Sequence, residues 1–130
     1  MSLDIKKTVR GSLPRFSFEK IARSILGEKY SLSLVVSGDS LARTINKKYR
    51  RIDYSPNVLS FPLQKNEGEI ILNVRRASRE ARAFHITPLE RIAFLFIHGC
   101  LHLKGLRHGK SMDKLEDRYL KKSGVKITKP

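Results

Sequence analysis

The segment TPLERIAFLFIHGCLHLKG, residues 87–105, sets the strongest condition on how this chain folds. Both ends carry helix signals. Thr87 suits an N-cap, Pro88 the first helical position and Glu90 the far side of a capping box, while Gly105 sits where a helix ends. Between them the residues from Ile92 to Ile97 are apolar on every face, so the helix belongs inside a core. It then carries two histidines, His98 and His102, to a fixed place.

The rest of the chain supplies the surroundings. LDIKKTV (3–9) and SLSLVVSG (31–38) come close to strand alternation. SFEKIARSILG between them reads as a helix from a capping Ser17 to Gly27, with Phe18, Ile21, Ala22 and Ile25 at helical spacing. GDSLARTINKKYRR predicts a second helix, with Asp39 or Ser40 as N-cap, Leu41, Ile45 and Tyr49 on one side, and Arg50 and Arg51 at a basic exit. NVLSFP is a short strand stopped by Pro62, and GEIILN is a strand that can pair with it across LQKNEG. Asn73 can cap the next helix, VRRASREARAF, in which Val74, Ala77 and Ala81 can face inward. Arg75, Arg79 and Arg82 form one stripe of that helix, read either as a solvent face or as a phosphate contact. SMDKLEDRYLKKSG is a last helix, with Met112, Leu115 and Tyr119 on one side and Gly124 at its end.

Four strands and five helices in 130 residues, 40% of them hydrophobic, fill one core and not two. Residues 1–130 therefore read as a single domain, with 121–130 as a flexible basic tail. A single cysteine, Cys100, excludes an internal disulfide, and no stretch resembles a signal-peptide core or a membrane span. A soluble, cytoplasmic protein without a membrane partner is expected. Lys and Arg number 27 against 12 Asp and Glu, a net charge of +15 that exceeds what solubility requires and points to a polyanion.

Three of the four histidines fall within IHGCLHLKGLRHG. On a helix, residues four apart share a face, so His98 and His102 present their rings to one point, and Gly105 lets the chain fold His108 back toward them. Three neutral nitrogen ligands with a fourth position left to water are the pattern of a catalytic zinc site, which predicts one Zn²⁺ per chain on His98, His102 and His108. His85 is isolated and reads as an ordinary histidine, and Cys100 as a packed one on another face. Asp113 and Glu116 are disfavoured as a fourth ligand. The spacing is similar to that of the metzincin proteases, but position 99 is Gly where their chemistry needs a general-base glutamate, so a metalloprotease is the least favoured reading.

HGCLHLKGLRH also resembles the His-Gly-x-Leu-His-Leu-x-Gly-x-Asp-His motif of the YbeY family of bacterial metal-dependent endoribonucleases. INKKYRRIDYSPNVLSFP is similar to that family's Asn-x-x-Tyr-Arg run leading into Val-Leu-Ser-Phe-Pro, and GEIILN to its Gly-Asp-Ile strand, all in the family's order. The resemblance implies an α/β (α+β) fold, a small mixed sheet flanked by helices, and a metal on His98, His102 and His108. It implies that Arg50 grips the scissile phosphate, with Arg50 and His98 as catalytic residues. Arg51, Arg75, Arg79, Arg82 and Arg107 are candidates for further RNA phosphate contacts. One position departs from the motif: Arg107 stands where the family has Asp.

The expected function is a single-strand-specific, zinc-dependent endoribonuclease of ribosomal RNA maturation, acting at the 3′ end of 16S rRNA and in ribosome quality control. Its partners would be single-stranded RNA, precursor rRNA and the small ribosomal subunit. The nucleophile is either water or the RNA 2′-OH. The alternative, supported by Arg107, is a non-catalytic metal-containing RNA- or ribosome-binding protein.

Overall fold

A computed structural model describes residues 1–127. In chain order the elements are β1 (Ser2–Lys7), α1 (Phe18–Leu26), β2 (Ser31–Ser37), α2 (Asp39–Arg50), β3 (Val58–Gln64), β4 (Glu67–Asn73), α3 (Val74–Ala83), α4 (Pro88–Leu103) and α5 (Lys110–Lys122). The strands form one mixed sheet in the order β1-β2-β4-β3, with β1, β2 and β4 parallel and β3 antiparallel to β4. This is the expected single small α+β unit.

The buried apolar helix is the hub. Leu32, Leu34 and Val36 of β2 stand beside Gly68, Ile70 and Leu72 of β4, and alternation puts them on one face. Helix α4 packs on that face, and α1, α3 and α5 pack on α4. Phe96 on α4 is fully buried and meets Phe18 edge to face, with ring centroids 4.9 Å apart. Helix α2 packs on β2 and β4, where Leu59 and Ile71 lie outside the main apolar cluster.

Close approach of α4 to the sheet depends on Gly99. A Cβ there would lie 3.1 Å from both Ile70 Cδ1 and Ser60 Oγ, and Ser60 Oγ donates to the Gly99 carbonyl at 3.0 Å. Gly99→Glu, which would complete a protease-like His-Glu-x-x-His, forces a carboxylate into that contact. The expected result is a destabilisation of about 3 kcal/mol or more, read as a lowered denaturation midpoint, with no gain of peptidase activity.

Several local expectations change. Strand β3 runs through Pro62 to Gln64 instead of stopping; it is an edge strand, where a missing N–H costs no ladder bond, and its register shifts between Pro62 and Gln64. Strand β1 stops at Lys7 rather than Val9. Ser17 holds the N-cap place of α1 without a side-chain cap bond. Gly38 holds that of α2, because the Asp39 carboxylate is taken by Arg79 and Asn73. Asn73 and Thr87 cap α3 and α4 as expected, accepting from the backbone N–H of Arg76 and Glu90. The loose tail is revised for 121–127: Lys121 and Lys122 close α5, and Val125 and Ile127 pack against the core. Residues 128–130 of that expected tail lie outside the described residues.

Candidate metal centre and its cleft

Helix α4 ends in a Schellman motif: Gly105, at φ +103°, donates to the His102 carbonyl, and Leu106 N–H donates to Leu101 at 3.1 Å. The same turn sets a side chain. His102 Nδ1–H donates to the Leu106 carbonyl at 3.0 Å, so its Nε2 is the free nitrogen. His98 is set from the other side, where its Nδ1 lies 2.6 Å from Oε2 of Glu116, a carboxylate buried on α5. An ionised carboxylate only accepts, so Nδ1 carries the proton and Nε2 of His98 is free as well.

The two free nitrogens face each other 3.0 Å apart. Two lone pairs at that distance repel unless an electrophile lies between or beside them. His108, returned by the Gly105 turn, completes the group, and one ligand nitrogen from each ring lies within 4.8 Å of the others. Burial and the neighbouring His98 push the His102 pKa down, which keeps its imidazole neutral, as a metal ligand must be. The donor set, the tautomers and the convergence all fit a three-histidine metal site, and Glu116 acts as a hydrogen-bond partner of a ligand.

The triad lies in a cleft of about 670 Å³ whose walls include Arg50, Tyr54, Asn57, Ser60, Arg91 and Phe94. Of the arginines proposed for phosphate, Arg50 lines this cleft. Arg51 forms the left-handed cap of α2 at φ 57°, and Arg82 and Arg107 are exposed and are not among the residues that line the cleft. Arg75 donates to the Arg10 carbonyl at 2.8 Å. Arg79 grips both oxygens of Asp39 at 2.7 and 2.8 Å; that pairing, with the bond from Asn73, takes the Asp39 pKa down to about 2. The α3 stripe is thus partly engaged in internal contacts. Cys100 is fully buried, burial pushes its thiol pKa up, and His85 lies outside the triad at φ 58°.

Three contributors carry no motif in the sequence. Arg91 lies seven residues before His98, two turns along the same face of α4, a spacing that was the available signal. Glu80 accepts from Asn57, Arg76 and Arg91. Burial alone would raise its pKa, but those donors outweigh it and lower it. Glu116 follows Met112 by four residues and so shares its buried side of α5.

Fold and site together define a small α+β protein with an imidazole triad in a cleft bearing arginines. The sequence model of the family described as Endoribonuclease YbeY matches residues 4–124. A curated Endoribonuclease YbeY of Helicobacter pylori (strain Shi470) is 38% identical over 114 residues, 85% of this chain and 79% of that one. That of Solibacter usitatus is 32% identical over 121 residues, covering 88% and 82%. A Thermotoga maritima protein known from a solution structure superposes with a TM-score of 0.68 at 23% identity, over 93% of this chain and 88% of that one, which supports the fold. The chain belongs to the YbeY endoribonuclease family.

Proposed function

We propose that this protein is a zinc-dependent endoribonuclease that cuts single-stranded RNA, acting in the cytoplasm on precursor ribosomal RNA of the small subunit, at the 3′ end of 16S rRNA, and in ribosome quality control. The observation that carries the reading is the pair of free Nε2 atoms of His98 and His102, 3.0 Å apart in a cleft that also holds Arg50. Family membership supports the RNA substrate, and the net charge of +15 suits a polyanion. Among the described residues no helix is long and apolar enough to cross a membrane.

In this mechanism His98, His102 and His108 hold the metal, which when bound supplies Lewis acidity at the phosphate. Glu116 and the Leu106 carbonyl keep the first two rings in the ligating tautomer. Arg50 takes the non-bridging phosphate oxygens through its guanidinium fork and stabilises the charge that builds there. The position that holds the general-base glutamate in the protease motif is Gly99 here, packed against Ile70 and Ser60.

The test is a labelled RNA offered as single strand and as duplex, with zinc and with chelator. Single-strand cutting that chelator abolishes is expected. Zinc retention with RNA binding and no cutting would overturn the nuclease reading in favour of the binding protein suggested by Arg107.

A further inference from the structure

We infer that the cleft carries a nucleotide subsite beside the imidazoles, in which Arg91 takes a backbone phosphate and Tyr54 stacks on the base of an unpaired nucleotide, both held in place through Glu80. The inference rests on the endoribonuclease reading and names how that site selects its substrate.

Glu80 is the anchor. Its carboxylate accepts Arg91 Nε at 3.0 Å, Arg76 Nε at 3.1 Å and Asn57 Nδ2 at 3.2 Å. Two guanidinium groups on one carboxylate leave local positive charge. Arg91 spends only Nε on this contact; its Nη atoms make no hydrogen bond among the described residues, although the side chain is 16% exposed and lines the cleft. Its guanidinium carbon lies 5.0 Å from the Phe84 ring centroid and 5.2 Å from that of Phe94. Such a fork is pre-oriented, so little rotamer entropy is lost when it meets a phosphate. Phe94 in turn stacks on His98 with centroids 6.0 Å apart, which puts Arg91 one ring away from the triad.

Arg76 carries the other arm. It bonds Glu80 and the Ser55 carbonyl, and its guanidinium lies 5.7 Å from the Tyr54 ring centroid. Tyr54 is 45% exposed and lines the same cleft. A cation backs the ring while much of it stays open. A nucleobase offers a face to such a ring only when it is unpaired and unstacked, so the subsite favours single strands without reading their sequence.

The experiment measures binding of a labelled single-stranded oligoribonucleotide to chelator-treated protein across a salt series, beside the same strand as duplex and with abasic positions. Arg91→Ala is expected to weaken the strand on the order of tenfold, with or without bases, and to flatten the dependence of log affinity on log salt by about 0.7. Arg91→Lys keeps that slope. Tyr54→Ala is expected to weaken the intact strand about tenfold, leave the abasic strand unchanged and keep the slope, while Tyr54→Phe binds like the wild type. Variants that bind the intact strand like the wild type overturn the subsite, as does an equal loss by Tyr54→Ala on abasic RNA. Cleavage by untreated wild type separates the two readings. A protein that cuts RNA while its variants bind normally loses the subsite and keeps the nuclease assignment, and a protein that neither binds nor cuts RNA loses both.

Discussion

Replacing His102 by alanine is expected to abolish metal retention and to lower RNA cleavage on the order of 10³-fold, with the fold preserved. His102 sits at the centre of the triad: its ring lies 4.5 Å from that of His98 and 4.8 Å from that of His108, centroid to centroid. Removing it leaves two nitrogens, one of them on an exposed ring beyond the helix, too few to hold a divalent ion with an open position. The structural cost is small by comparison. The Leu106 carbonyl loses its imidazole donor, about 1 kcal/mol, while the backbone bonds of the Schellman turn remain. Metal content after gel filtration, an unfolding curve and an RNA cleavage assay on the same preparation check this. Stoichiometric metal in the variant would sink the centre as described.

The central helix and its histidines were legible because both depend on short-range rules. Capping at Thr87, Pro88 at the first turn and Gly105 past the end are local, and the i, i+4 spacing of His98 and His102 is helix geometry. Resemblance to the family singles out Arg50, which periodicity alone presents as one of several basic residues at a helix exit. Other features depend on what another element brings. Pro62 reads as a stop until β3 is known to be an edge strand. Asp39 reads as a cap until Arg79, forty residues on, claims its carboxylate. Glu80 and Arg91 stand out in no sequence pattern, and they become partners only because α3 and α4 pack side by side. Tyr49 stands at the spacing of a core position but is 64% exposed, since Ala42 and Asn46 form the buried side of α2. Charge on a helix face is a weak guide to function here: Arg75 and Arg79 belong to the conspicuous stripe and bond within the protein, whereas Arg91, the single arginine of a largely apolar helix, lines the cleft.

Glu116→Gln should weaken zinc binding by about 10- to 100-fold, and cleavage at limiting zinc should fall in step and return when zinc is in excess. The glutamine keeps the length and one acceptor oxygen, so His98 Nδ1–H retains a partner and its ring orientation. What disappears is the negative charge 2.6 Å from that nitrogen, which makes Nε2 of His98 a better donor to a cation. Because Glu116 is 5% exposed, water screens that charge little, and the effect exceeds that of a surface carboxylate. A competition titration with a chelator of known affinity measures it, beside RNA binding by the metal-free protein, which should not change. Equal zinc affinity in the variant and the wild type would mean that Glu116 serves only to dock α5 on α4. A loss that excess zinc fails to rescue would mean that its charge acts on the reaction itself and not through the ligand.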